Sequence, residues 1–184
     1  MKSLKSNLKE KIVFLKLKSG DPEAFGFFYD KYVTQIYRFI LIKVSDKQIA
    51  EDLTQDVFLK TWQHLVDQKK VSHFRAFIYQ IARNIVIDYY RQVDRQSLPL
   101  EYADDIAAVD TVSAKLEVNL DAESLLKYLH KIKEEYQEIL IFRYIEDMSI
   151  DEIARILQKD KNNVRVTLHR AINKFKEIIN QQIQ

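Results

Sequence analysis

Two stretches of the chain carry side chains whose types and spacing suit recognition chemistry. In residues 158–176, Lys159, Lys161, Arg165, Arg170, Lys174 and Lys176 stand against a single carboxylate, Asp160. If Val164, Leu168 and Ile172 face inward at helical spacing, then Lys161, Asn162, Arg165, Val166 and His169 lie on or near the outward face. Arginine and asparagine in such places suit base edges in a DNA groove, and lysine suits phosphate. A helix beginning near Lys161 adds a positive N-terminal end that also favours phosphate. An ordinary helical hairpin with a solvated basic face has the same spacing, so the pattern alone leaves both readings open.

The second stretch is Glu51-Asp-Leu-Thr-Gln-Asp-Val-Phe-Leu-Lys60, which sets Asp52, Gln55, Asp56 and Leu59 at i, i+3, i+4 and i+7. Two like charges on one face weaken an isolated helix slightly. The pair therefore either faces water or meets a basic partner. Nothing comparable points to catalysis. His64, His73, His130 and His169 form neither H-E-x-x-H nor the E-x-x-H of di-iron bundles. The chain has no Cys, and its two glycines, Gly20 and Gly26, exclude any later phosphate-cradling loop. No enzyme, metal or cofactor is implied.

The elements that position these residues read as helices throughout. Residues 8–18 are Lys/Leu-rich and helical in pattern. Gly20-Asp21-Pro22 breaks them, with Asp21 as N-cap and Pro22 at the first position of the next helix. That helix carries Phe25, Phe28, Tyr29, Tyr32, Ile36, Tyr37, Phe39 and Ile40 as a broad apolar stripe. Ser45-Asp46 caps a helix over about 47–66, with Ile49, Leu53, Val57 and Leu65 inward. A polar loop, 67–73, leads to a long helix over about 74–95, with Phe74, Phe77, Ile78, Ile81, Ile85 and Tyr89 on one face. Later helices are expected at about 122–132, 134–145, 149–157 and 161–180. Ser149-Ile-Asp-Glu152 is a capping box and Asp160 a further N-cap. A helix-turn-helix turn often holds glycine because one residue is left-handed; here Gln158-Lys159 stands instead. That costs about 1 kcal/mol or forces a different turn.

Composition fits this reading. Scarcity of glycine argues against turn-rich sandwiches and barrels, so the expected class is all-α. Between Gln96 and Asp121 the chain turns acidic: through Glu123 it holds seven carboxylates against one lysine, Lys115. Pro99 lies in it, and Ala103–Val112 lacks helical periodicity, so it reads as a flexible acidic linker. The expected layout is two small helical domains, 1–95 and 122–184, joined by a linker at 96–121. Fifteen of the 21 aromatic residues lie between Phe14 and Tyr90, more than a core of that size needs. Apolar runs such as Ile139–Phe142 fall far below the ~18 residues of a membrane span. The basic N-terminus lacks the apolar stretch of a signal peptide. A soluble, cytoplasmic protein is expected.

Asp52-Leu-Thr-Gln-Asp-Val-Phe-Leu-Lys-Thr-Trp62 closely resembles region 2.2 of the sigma-70 family of initiation factors. Phe28-Tyr-Asp-Lys-Tyr32 is similar to region 2.1, and Phe74 to Arg91 looks like regions 2.3 and 2.4. Tyr136–Leu140, Ser149–Ala154 and Val164–Ala171 resemble region 4. Length and layout match the extracytoplasmic-function (ECF) group, which lacks regions 1.1 and 3.

The resemblance implies a mechanism. Asp52, Gln55, Asp56 and Leu59 would contact the basic clamp coiled coil of the β′ subunit of core RNA polymerase, which also presents its β subunit. Lys69, Lys70, His73, Phe74, Arg75, Asn84, Asp88 and Arg91 would capture the melted −10 element. Lys159, Lys161, Asn162, Arg165, Val166, His169 and Arg170 would read −35 duplex. An anti-sigma protein is the implied regulator. The rival reading is a two-domain helix-turn-helix regulator that delivers no polymerase; it has no need of the Asp52–Trp62 block.

Overall fold

The computed structural model describes residues 12–17, 21–67, 71–96 and 126–183. These residues are helical with short turns, and no strand occurs among them. The chain divides into two compact units after Gln96. The expected linker lies outside the described residues except for Gln96, which ends a helix. Lys69 and Lys70 also lie outside them.

The first unit contains α1 (12–17), α2 (Pro22–Val44), α3 (Lys47–Val66) and α4 (Phe74–Gln96). The Asp21 carboxylate accepts from the amides of Glu23 at 2.9 Å and Ala24 at 3.4 Å, with Pro22 opening α2 as expected. At its far end Ser45 turns left-handed (φ 57°), and Asp46 then accepts from Ile49 N–H at 2.9 Å to start α3. These caps satisfy amides that a helix start otherwise leaves without partners.

The core of this unit comes from three helices. Phe28, Tyr32, Ile36, Phe39 and Ile40 of α2 meet Ala50, Val57, Phe58 and Leu65 of α3. Ile78, Tyr79, Ala82, Ile85 and Val86 of α4 complete it. Two buried threonines in α3 satisfy their hydroxyls on their own helix: Thr54 donates to Ala50 O and Thr61 to Val57 O, each at 2.6 Å. The Tyr90 hydroxyl donates to the carbonyl of Lys43 at 2.5 Å, tying the end of α4 to a carbonyl in the last turn of α2.

The inward arcs differ in detail from those expected. On α4, Tyr79, Ala82 and Val86 are buried while Ile81 and Tyr89 are only half-buried. The packed arc is therefore turned toward these residues, because α4 is held between α2 and α3 and not against one flat surface. Tyr29, expected in the inner stripe of α2, is exposed at the rim, where its ring meets Phe58 at 4.7 Å. Ile49 and Leu53 are likewise half-buried.

The second unit contains α5 (126–129), α6 (Glu134–Leu140), α7 (Ile150–Leu157) and α8 (Lys161–Ile183). The continuous helix expected over 134–145 is corrected: after Leu140 the chain widens into a π-helical turn, Ile141–Ile145. Glu146 N–H reaches Ile141 O and Met148 N–H reaches Phe142 O, each at 2.9 Å. Arg143 then donates to Met148 O at 2.7 Å, and Asp147 is left-handed (φ 48°). Ile139, Leu140, Ile141 and Phe142 are all buried. Four successive buried residues span more than one face of a helix, so this segment is enclosed by its neighbours. Ile153, Ala154 and Ile156 of α7 and Val164 and Ala171 of α8 join them in the core, with Leu129, Ile132 and Met148.

Candidate nucleic-acid and polymerase interfaces

The helix-turn-helix is built by local chemistry. Ser149 Oγ accepts from Glu152 N–H at 3.2 Å while the Glu152 carboxylate accepts from Ser149 N–H at 2.9 Å, the reciprocal box expected at the start of α7. Gln158 ends α7 in the left-handed region (φ 53°, ψ 40°). Lys159 N–H closes the turn on Ala154 O at 3.0 Å. The turn therefore keeps its left-handed residue without glycine and bears the associated strain of about 1 kcal/mol. Asp160 then accepts from Asn163 N–H at 2.8 Å, opening α8.

Val164, Thr167 and Ala171 bury the inner side of α8, with Leu168, Ile172 and Phe175 half-buried beside them. Lys161, Asn162, Arg165, Val166 and His169 are all exposed, as the periodicity predicts, and so is Arg170. Arg165 Nη1 donates to Asn162 Oδ1 at 2.9 Å. His169 Nδ1 lies 3.4 Å from the Asn173 amide nitrogen. The two lysines beside the turn are both engaged within the unit. Lys161 Nζ lies 2.8 Å from Asp151 Oδ2, and Lys159 pairs with Glu135 of α6. Chiefly through its hydrogen bond to Lys161, Asp151 titrates below the ordinary carboxylate value, and Arg155 and Arg165 lower it further. Sequence spacing gave no sign of either pairing, since each partner lies on a different helix.

On α3, Asp52, Gln55, Asp56 and Leu59 form one exposed stripe. Leu59 is 55% exposed and Val66, two turns on, equally so. An exposed leucine alone is ordinary; here it continues a carboxylate pair on a helix whose other side is locked into a core. Trp62 is half-buried beside the stripe with its ring 4.9 Å from that of Phe25.

The residues expected at melted DNA are split. Asn84, Asp88 and Arg91 form an exposed line along α4, with Arg91 Nη1 3.4 Å from Asp88 Oδ1. His73 is exposed and Arg75 half-buried. Phe74 is 4% exposed, its ring packed among those of Phe14, Phe28 and Tyr32. A ring so enclosed has no face left for a base. Phe77 is half-buried, 4.5 Å from the ring of His64.

Comparison with known proteins agrees with this division. Residues 28–96 match the family described as sigma-70 region 2, and residues 122–175 that described as sigma-70, region 4. The ECF RNA polymerase sigma factor SigM of Bacillus subtilis (strain 168) is 28% identical over 163 residues, covering 84% of this chain and 94% of its own. The RNA polymerase sigma factor YlaC of the same organism is 30% identical over 146 residues, covering 78% and 84%. Among solved structures, CnrH in complex with the cytosolic domain of CnrY shares the fold with a TM-score of 0.71 at 21% identity, over 94% of this chain and 97% of that one. The sigma factor RpoE in complex with the anti-sigma factor NepR, from Bartonella quintana, gives 0.67 at 20% identity, over 85% and 96%.

Fold and matches together define a transcription initiation factor, a class of protein that is not itself an enzyme. Its two units are the region 2 and region 4 modules in family order. The chain belongs to the ECF group of the sigma-70 family of RNA polymerase sigma factors.

Proposed function

We propose that the chain docks on core RNA polymerase through the Asp52–Gln55–Asp56–Leu59 face of α3 and guides it to promoters with both units. The observation that carries this reading is the exposure of all four residues on one helical line whose reverse side is core. A like-charge pair next to an exposed leucine suits a basic, partly apolar helical partner such as the clamp coiled coil of β′. The α4 line of Asn84, Asp88 and Arg91, with His73, Arg75, Lys69 and Lys70, captures the −10 strand as it melts. The exposed side of α8 reads −35 duplex in the major groove, with Lys159 and Lys161 supplying phosphate contacts once their carboxylate partners yield.

Two structural neighbours are held by protein partners, and one of these partners is named an anti-sigma factor. A partner of that class regulates this chain in our reading. No described helix is long and apolar enough to cross a membrane.

Run-off transcription with purified core polymerase tests the proposal. The expected result is promoter-specific transcript that depends on the chain and is lost with Asp56→Arg. Core binding without any promoter-specific transcript would overturn it.

A further inference from the structure

On the outward side of α8 one residue does not fit its surroundings. Asn162, Val166, His169 and Asn173 follow one another at i, i+4, i+7 and i+11, and Arg165 and Arg170 flank them. Every member of this group is polar except Val166, which is 48% exposed. The valine packs no core, for the inner side of the helix is filled by Val164, Thr167 and Ala171. A β-branched side chain on an open helical surface also costs helix propensity relative to alanine. A lone exposed valine is ordinary in itself; what sets Val166 apart is its place among polar residues on the side of α8 proposed to face DNA.

We infer that Val166 is a specificity-determining residue of the −35 readout, and that its methyl groups seat the C5-methyl of a thymine. The inference rests on the proposed −35 role of α8. The chemistry is restrictive: in the major groove a base pair offers hydrogen-bonding groups and, only at thymine, a methyl group. An aliphatic side chain has nothing else there to recognise. Val166 is the sixth residue of α8, inside the N-terminal part that reaches base edges in helix-turn-helix proteins. Its χ1 is strongly restricted in a helix, so the two methyls are already fixed before DNA arrives.

The neighbours place the contact in the site. Arg165 is steadied by the Asn162 carbonyl oxygen at 2.9 Å, which holds its guanidinium over the first turn of α8. An arginine so placed suits the O6 and N7 acceptors of a guanine. The element read by this surface thus combines a guanine under Arg165 with a thymine under Val166, close together along the groove.

Deoxyuridine differs from thymidine only by the methyl group, which makes the test a double cycle. The full chain is assembled with core polymerase, and a duplex is selected from a pool randomised across the −35 element. Each thymine of the selected element is then replaced singly by deoxyuridine. For the wild type, one replacement is expected to weaken binding roughly three- to fivefold, the value of one buried methyl group. For Val166→Ala the same replacement is expected to change nothing, and Val166→Ile is expected to restore the sensitivity. No uracil-sensitive position in the wild type, or equal sensitivity in Val166→Ala, overturns the inference. Arg165→Ala separates the two levels of failure. If it relaxes selection while the uracil scan is silent, only the role of Val166 falls. If it leaves selection unchanged, the −35 reading of α8 falls with it.

Discussion

The ring of Phe74 lies against that of Phe28, with centroids 4.2 Å apart and planes tilted by 36°. Phe14 and Tyr32 close over the same ring at 6.1 and 5.7 Å. The contact pins the first residue of α4 to the second turn of α2. It therefore fixes where α4 begins, while the buried Ile78, Tyr79, Ala82, Ile85 and Val86 leave the line of Asn84, Asp88 and Arg91 outward. A residue that the resemblance places at the −10 element here anchors the helix that carries the exposed line.

Phe74→Ala is accordingly expected to destabilise the first unit by about 3–5 kcal/mol, as deleting a buried aromatic ring does. The chain has one tryptophan, Trp62, and it lies in this unit, so urea unfolding followed by its fluorescence reports the unit by itself. Phe74→Leu should retain most of the stability and still support promoter opening. Unchanged stability in the alanine variant with loss of opening alone would return Phe74 to the DNA.

What the sequence made legible was set by short-range chemistry. The Asp21, Asp46, Ser149 and Asp160 caps each depend on an amide two or three residues away, and all four are found. The exposed faces of α3 and α8 follow from period alone. Spacing put Phe74 on the apolar face of α4, but its partners Phe14, Phe28 and Tyr32 lie in α1 and α2 and are brought to it only by the fold. The π-turn after Leu140 has no marker in Ile-Phe-Arg-Tyr-Ile, whose pattern suits an α-helix as well. The Lys161–Asp151 pair joins two helices across the turn, a relation that appears only once the turn is built.

Asp56 is exposed on the outward side of α3, so reversing its charge leaves the core side of the helix untouched. Asp56→Arg should leave helix content by circular dichroism unchanged and abolish co-elution with core polymerase. A basic partner surface turns one attraction into a repulsion, a penalty of several kcal/mol at a docked interface. Retained core binding would remove this face from the contact.

Gln158 holds a left-handed conformation that glycine adopts without a Cβ clash. Gln158→Gly should raise the stability of the second unit by up to about 1 kcal/mol, offset in part by the greater freedom of glycine in the unfolded chain. Gln158→Ala, which keeps a Cβ, should show no such gain. Thermal melting by circular dichroism checks both. A glycine variant that melts earlier would mean that the Gln158 side chain stabilises the turn by contacts of its own.

The pairing of Asp151 with Lys161 fixes the sign of a pH effect. The Lys161 hydrogen bond is the largest of the influences on the Asp151 carboxyl; desolvation opposes it, and the charges of Lys161, Arg155 and Arg165 add to the lowering, so the carboxyl lies below its ordinary value of 3.8. A depressed folded-state value means the bridge stabilises the charged carboxylate. Its contribution is complete above 3.8 and is lost as pH falls through the lower folded-state value, so nothing about it changes near neutrality. Carboxyl carbon shifts by NMR should give an Asp151 midpoint below 3.8 in the wild type. Lys161→Gln should move that midpoint up toward the ordinary value, without quite reaching it, because the two arginines remain. A midpoint unmoved by Lys161→Gln would show that the arginines hold the carboxylate. Lys161 would then be free to meet a phosphate without first giving up a partner.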